Sequence, residues 1–323
     1  MEQQERTFRI GPIRPPSEAN SLLLQVTNGC TWNKCKFCQL YRHTKFKAYS
    51  ADSIKADIDN IAYQADIIRR YQTPLGAWDI DGLNQELGQI PSEEERQCFY
   101  MVANWLVGGG ENVFLQDGNT TALSSGRLSD VLVYLKQAFP GIKRITSYGR
   151  AENLSRVSAE EYAELKEAGL DRIHSGFETG SDAVLQKINK GVTAAQQIEA
   201  GQKLKSAGFT LSVTAINGLA GSNGDWQAHA KDTAAALNAM RPDFIALLTL
   251  RIYTGTPMAE WIERGELVMP TPMELIRESK LFLEHIDCPG AVFRSNHASN
   301  YLDLRGTLNQ DALQRSKARR LSF

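Results

Sequence analysis

The chain opens its pattern with a five-residue apolar run, Leu22-Leu23-Leu24-Gln25-Val26, followed by Asn28-Gly29. A short, partly β-branched run ended by a turn pair reads as a buried strand. Ser50 is placed to cap a helix through about Arg70. Residues 71–91 hold glycines and prolines without a sustained period and read as a long loop. Ser92-Glu93-Glu94-Glu95 then caps a helix running to about Leu106. From Gly108 onward the pattern becomes regular. Strands are predicted at 112–115, 144–147, 172–176, 210–216, 244–250 and 291–294. Helices are predicted at about 122–138, 158–168, 181–188, 193–207, 225–239, 258–264 and 271–286. Strands alternating with helices predict βαβ units, a parallel sheet and an α/β fold. The number of units favours a TIM-like (β/α) barrel, complete or partial. Residues 1–20 form a leader and 21–260 the barrel core, with an insertion at about 71–108. Residues 261–323 supply the last helices, the last strand and a tail that complete the face bearing the strand-end loops. Glycine or polar residues follow nearly every strand, and in such folds that face carries the chemistry.

The loop after the first strand is Gly29-Cys30-Thr31-Trp32-Asn33-Lys34-Cys35-Lys36-Phe37-Cys38, and it holds three of the five cysteines at Cys-x4-Cys-x2-Cys spacing. Thiolates bind soft metals and iron–sulfur clusters, and close spacing lets one loop wrap a compact centre. Three protein ligands leave a fourth position open for a substrate or cofactor. Two metal readings compete at this point. One is an iron–sulfur cluster; the other is zinc, with His43 completing a Cys3His set. Unmodified thiols are a third reading. A disulfide loop fits poorly, because the cysteine count is odd and the first residues, Met1-Glu2-Gln3-Gln4-Glu5-Arg6, lack the apolar core of a signal peptide.

Hydrophobic residues make up 42% of the chain and charged residues 23%, ordinary values for a globular protein. A net charge of −1 argues against bulk binding to nucleic acid or an anionic membrane. No apolar run approaches the roughly 20 residues that span a bilayer. These features predict a reducing, cytoplasmic setting without a membrane partner.

Four further motifs follow the cysteine loop in order. Gln116-Asp117-Gly118-Asn119 comes after the second strand and Gly176-Phe177-Glu178-Thr179-Gly180, followed by Ile188-Asn189-Lys190, after the fourth. Asn217-Gly218-Leu219-Ala220-Gly221 closes the fifth strand and Tyr253-Thr254-Gly255-Thr256-Pro257 the sixth. With these motifs, residues 20–260 resemble the radical S-adenosylmethionine (SAM) superfamily. The usual cysteine spacing there is Cys-x3-Cys-x2-Cys; this chain has one extra residue in the first gap. The branch it most resembles holds the oxygen-independent coproporphyrinogen dehydrogenases, the methylthiotransferases and the Elongator-type catalytic subunits.

The resemblance implies a [4Fe–4S] cluster on Cys30, Cys35 and Cys38, with the amino and carboxylate groups of SAM on the fourth iron. It implies reductive cleavage of SAM and abstraction of a substrate hydrogen atom. Gln116, Asp117 or Asn119 would accept from the SAM ammonium, with Gly118 allowing close backbone approach. Glu178 would accept from ribose hydroxyls, Lys190 would pair with the SAM carboxylate, and Phe37 would lie beside the adenine. Ser147 and Thr214 would face the ligand from their strand ends. Each has a plainer role in view: an ordinary turn for Asp117-Gly118-Asn119, a helix cap for Glu178, a solvated helix end for Lys190.

On the substrate side, the polar run Arg294-Ser295-Asn296-His297-Ala298-Ser299-Asn300-Tyr301 follows the last predicted strand. Arg294, Asn296, His297 and Asn300 are candidates to hold a small polar substrate; pinning of the segment to the barrel is the competing role. Arg251 and Tyr253 are second-rank candidates, and Tyr41, Arg42 and His43 flank the cysteines. Radical modification of RNA or a peptide is the alternative within the enzymes. Cys98 and Cys288 stand apart, too few for a second cluster, and Leu40 replaces the fourth cysteine of the coproporphyrinogen enzymes. The expected partners are a small-molecule substrate and an electron donor such as flavodoxin or ferredoxin. The basic tail from Gln314 to Arg320 reads as a solvated helix end.

Overall fold

Apolar runs become strands where the spacing predicts them. The computed structural model describes residues 6–310. A 3-10 turn at Pro16–Glu18 leads into β1 (Leu22–Gln25), β2 (Thr27–Asn28) and β3 (Lys47–Ala48). Helices α1 (Ala51–Arg69), α2 (Ile80–Gln89) and α3 (Glu93–Val107) precede β4 (Asn112–Gln116) and α4 (Ser125–Ala138). Next come β5 (Arg144–Gly149), α5 (Ala151–Leu154), α6 (Ala159–Ala168), β6 (Leu170–Glu178), α7 (Asp182–Lys187) and α8 (Ala194–Ser206). The rest runs through β7 (Thr210–Asn217), α9 (Trp226–Met240), β8 (Phe244–Thr249), α10 (Pro257–Glu263), α11 (Pro272–His285), β9 (Val292–Arg294) and β10 (Arg305–Thr307).

The strand order is β1-β4-β5-β6-β7-β8-β9-β10. The β1–β4, β4–β5, β7–β8 and β8–β9 pairs are parallel, and β10 returns antiparallel to β9. This is the predicted α/β class, with strands in the sequential order of a partial (β/α) barrel. Two corrections apply. The stretch read as a long loop contains α2, whose N-cap Asp79 accepts from Gly82 N at 2.9 Å. Gly82 and Gly88 weaken its helical pattern, and Leu83 is its buried residue. Strand β10 was not predicted, because three residues with no apolar side chain among them carry no period-two signal.

Chain contacts divide the protein into two compact units. The first holds the chain up to Cys30, Lys45–Tyr148 and Glu160–Arg172. Its strands β1 and β4 are buried along nearly their whole length, with Leu22, Leu24, Val113, Phe114 and Leu115 inaccessible. That explains their unbroken apolar sequences. Helix α1 covers them with Ile54, Ile58, Ile61, Ala65 and Ile68, one stripe at helical spacing, and Ser50 caps it as predicted. The leader is a strap on this unit. Phe8 is buried, Arg9 pairs with Asp57 at 2.6 Å, and the inaccessible Gln116 side chain grips the strap. Its Oε1 accepts from Gly11 N at 2.8 Å; its Nε2 donates to Gly11 O at 3.1 Å and Ile13 O at 2.7 Å.

The second unit holds Thr31–Thr44, Gly149–Ala159 and the chain from Ile173 onward. Here burial alternates. Along β7, Leu211, Val213 and Ala215 are buried while Ser212, Thr214 and Ile216 are half-buried. One face of this strand is packed by helices and the other is left more open. Helices α8 and α9 approach so closely that a methyl group at Gly201 would stand 2.2 Å from Met240 Cγ. The loop after β7 is held from α11. Glu278 Oε1 accepts from Gly218 N at 3.1 Å and lies 2.6 Å from His229 Nδ1, while Asn217 Nδ2 donates to Leu275 O at 2.8 Å.

Replacing Gln116 with Ala leaves two backbone carbonyls and one N–H of the strap without partners. Net losses per buried group of about 1 kcal/mol make the expected destabilisation about 2–3 kcal/mol, read as a lowered urea midpoint with unchanged slope.

Candidate functional site

In the second unit the cysteine loop is seated largely by backbone hydrogen bonds. Lys36 N donates to Ile188 O at 2.8 Å, and Lys36 O accepts from Met258 N at 3.1 Å. The residues after α7 and the first turn of α10 therefore grip it from two sides. Trp32 Nε1 donates to Asn189 O at 2.7 Å, and Asn189 Nδ2 returns to Lys34 O at 3.2 Å. Within the loop, Asn33 takes a left-handed conformation (φ 50°), and its Nδ2 bonds to the carbonyls of Tyr41 and Thr44. Phe37 packs half-buried on the apolar cluster of Val184, Ile188, Leu250 and Met258. Cys35 and Cys38 are half-buried on this seat, neither of them in a disulfide.

Behind Cys35 lies a buried ion pair. Lys190 Nζ donates to Glu178 Oε1 at 2.7 Å, so the two residues expected to contact a ligand are brought together. Neither takes its plainer role: the Ser181 N–H at the start of α7 goes to Thr179 Oγ1 at 3.0 Å, and Lys190 is buried. Glu178 sits in the left-handed region (φ 64°) at the end of β6. Gly176 makes room for the pair, since a methyl group there would stand 2.8 Å from Glu178 Oε1. Buried Arg150 donates from Nη2 to Lys190 O at 3.1 Å and holds its guanidinium 5.8 Å from the Trp32 ring centre. Burial pushes the Cys35 thiol up; Lys190 and Arg150 pull it down, and Glu178 and Cys38 push it up further. The two cations favour a thiolate at Cys35 once a metal takes it.

The first unit carries the other predicted motif, at the end of β4. Gly29 N donates to Asp117 Oδ2 at 3.2 Å and Asp117 N to Thr27 Oγ1 at 3.3 Å, tying the turn to the segment that ends in Cys30. Burial pushes the Asp117 carboxyl up to about 6, against the pull of Gly29 N, the Gln25 side chain and Gly118 N. Asn119 is inaccessible, and its Oδ1 accepts from Thr121 Oγ1 at 3.0 Å. Gln116 is a correction: both ends of its amide hold the leader strap, so it is not turned to a ligand. Ser147 is likewise fully buried, its hydroxyl donating to Tyr148 O at 3.0 Å. Thr214, by contrast, lies on the more open side of β7.

The C-terminal polar run follows the pinning role. Asn300 Oδ1 accepts from Thr249 Oγ1 at 2.9 Å and its Nδ2 donates to Leu247 O at 2.8 Å. Thr249 N donates to Ser299 Oγ at 3.2 Å, and Arg251 Nη2 to Ala298 O at 3.3 Å. Asn300 and Arg251 thus fasten the segment to the end of β8, a correction to the substrate role expected of them. Arg294, Asn296, His297 and Tyr253 are exposed. The basic tail lies outside the described residues.

Trp32, Arg150, Gly176 and Gly191 were missed from the sequence. Trp32 and Gly191 had a local signal, standing inside the cysteine motif and directly after Lys190. Arg150 had none. No group of three or more His, Cys, Asp or Glu side chains is gathered for a metal among the described residues, with or without His43, which is exposed. That holds for the three cysteines alone as much as for a Cys3His set, and no observation favours zinc. All five cysteines are free, which removes the disulfide reading.

The family model described as the radical SAM superfamily matches residues 24–233. The heme chaperone HemW of Bacillus subtilis is 24% identical over 161 residues, 50% of this chain and 42% of that protein. The chain thus aligns with less than half the length of this curated relative. Coproporphyrinogen III oxidase (HemN) from Escherichia coli is similar at a TM-score of 0.48 and 15% identity, over 82% of this chain and 52% of that one. The radical SAM methyltransferase TsrM from Kitasatospora setae, with cobalamin and a [4Fe–4S] cluster bound, gives 0.49 and 17% over 76% and 39%.

Two outcomes follow from the site's geometry. Gly191 has φ 76°, and a methyl group there would stand 2.5 Å from the Trp32 ring, whereas Gly208 (φ 78°) has no atom within 4 Å of that position. Gly208→Ala is expected to cost about 1 kcal/mol of backbone strain. Gly191→Ala should cost at least about 2 kcal/mol and shift the tryptophan emission, as thermal and fluorescence unfolding would show. Asp117 binds its proton more tightly folded than unfolded, so its stabilising contribution is complete below the usual 3.8 and lost as pH rises through about 6. Asp117→Asn should remove that decline, gaining on the wild type by up to about 3 kcal/mol at pH 7, measured from urea midpoints at pH 4 and 7.

Proposed function

Because the chain belongs to the radical SAM superfamily, whose enzymes of varied reaction type work with a [4Fe–4S] cluster and SAM, we propose that it cleaves SAM reductively and abstracts a hydrogen atom from a small polar substrate. When bound, the cluster would relay an electron from an external donor to SAM, whose cleavage to methionine would supply the 5′-deoxyadenosyl group that takes the hydrogen atom. The observation that carries the reading is the seated cysteine loop, with Cys35 backed by the Lys190–Glu178 pair and Arg150. The chemistry of the donor set supports this reading: three thiols in one motif, none in a disulfide, with cationic groups beside Cys35.

Cys30, Cys35 and Cys38 would hold three irons. Lys190 uses one of its three ammonium protons on Glu178 and keeps two for a carboxylate. Glu178, fixed by that bond, keeps acceptor capacity for ribose hydroxyls. Asp117, Gly118 and Asn119 are assigned to the ammonium of SAM, with Asp117 ionising near neutrality to receive it. Thr214 lines the open side of β7, and Phe37 the adenine side. For the substrate, Arg294, Asn296, His297 and Tyr253 remain as exposed donors and acceptors. The reading requires a one-electron donor such as flavodoxin or ferredoxin. No helix among the described residues is long and apolar enough to cross a membrane, and a cytoplasmic location is part of this proposal.

Anaerobically purified protein is expected to be brown, to contain iron and sulfide, and to release 5′-deoxyadenosine from SAM with dithionite. Cys35→Ser should lose the cluster, while Lys190→Met should keep it and bind SAM about tenfold more weakly, the worth of one charge-assisted hydrogen bond. A colourless protein holding one zinc per chain would overturn the assignment.

A further inference from the structure

The chain as a whole is balanced, with 36 lysines and arginines against 37 acidic residues. Around the cysteine loop that balance fails. No Asp or Glu occurs between Glu18 and Asp52, yet Lys34, Lys36, Arg42, Lys45 and Lys47 fall within that interval. Elsewhere in the second unit several exposed cations have acidic neighbours, as in Arg156–Glu152, Lys203–Glu199 and Arg264–Glu266. None of the five loop cations forms an ion pair among the described residues. Lys34 and Arg42 are exposed, and between them Leu40 stands 40% exposed, two residues from Cys38. An apolar contact point set among cations without acidic partners, Lys34 lying 4.9 Å from the Trp32 ring centre, next to a cysteine assigned to the cluster, is the composition of a small, transient docking patch.

We propose that the Lys34–Arg42 segment is the docking surface for a small acidic one-electron carrier of the flavodoxin class. This rests on the radical SAM reading, which needs an electron delivered close to the cysteine loop. Excess positive charge steers an acidic partner to it, and Leu40 gives the encounter a dry contact beside Cys38. The electron passes from the reduced carrier to the oxidised cluster, and the carrier leaves as its one-electron-oxidised form. RNA fits less well. Single strands are held by bases stacked on exposed aromatic rings, and Trp32 is covered by Gly191 and Arg150 while Tyr41 is buried.

The test uses the reconstituted full chain with flavodoxin and its reductase, against dithionite as a small-molecule donor. The double variant K34E/R42E is expected to lose about tenfold or more of its flavodoxin-driven 5′-deoxyadenosine formation, through a raised KM for flavodoxin. Dithionite-driven turnover should stay at the wild-type level. Wild-type rates with flavodoxin should fall as salt is raised past physiological strength, and those of the variant should not. Leu40→Ser should weaken flavodoxin binding without changing the salt dependence. Flavodoxin binding measured directly, by calorimetry, keeps the question separate from turnover: if dithionite yields no 5′-deoxyadenosine but binding still depends on Lys34 and Arg42, the surface stands and the reaction falls. Equal binding and equal flavodoxin-driven rates in variant and wild type overturn the proposal. So does transfer RNA retarded by the wild type and released by K34E/R42E while flavodoxin binding is unchanged.

Discussion

Main-chain hydrogen bonds from Lys36 to Ile188 and from Met258 to Lys36 are the constraint on which the chemistry depends. A loop with an apolar strand behind it and no secondary structure of its own has many conformations to lose, and ordering it costs about 1–2 kcal/mol per residue. Here two helix termini far along the chain close on the loop's centre, and Phe37 adds apolar contact with the same two elements. The segment after α7 does two jobs at once. Ile188 and Asn189 bind the loop, and Lys190, the next residue, carries the charge behind Cys35. Position and electrostatics of the thiol thus both draw on these three consecutive residues.

The Lys190–Glu178 pair illustrates how a buried charge is made tolerable. Two ions removed from water are costly unless each is closely paired and hydrogen-bonded. The 2.7 Å contact satisfies part of that demand, and Arg150 binds the backbone beside it. The remaining hydrogen-bonding capacity of the ammonium and carboxylate is what a zwitterionic ligand with hydroxyl groups can use. Gly176 sets the available space, because any side chain there meets the carboxylate.

Much of this was legible in the sequence, for reasons that differ by residue. Strands β1 and β4 announce themselves through continuous apolar runs because both their faces are covered. Ser50 and Ser92 cap their helices as read, since a cap needs only local geometry. Glu178 and Lys190 were singled out by motif order, and the structure brings them together as a buried pair. What the sequence hid was non-local. Gln116 and Asn300 are polar residues beside candidate sites, and nothing local tells a ligand contact from a bond to backbone elsewhere in the fold. Arg150 stands outside every motif and becomes relevant only when β5 delivers it to Lys190. Helix α2 carried its cap in plain view at Asp79, but two glycines masked the period.

The seating of the thiol loop has a consequence for how such a protein can change. Its two central bonds are made by amide and carbonyl groups, which every residue type except proline supplies alike. The exposed side chains of Lys34 and Gln39 can therefore vary while the sulfurs keep their place, and the loop can acquire a new electrical character without being unseated. A scaffold that separates address from surface in this way permits exchange of redox companions over a lineage with the reactive centre left intact.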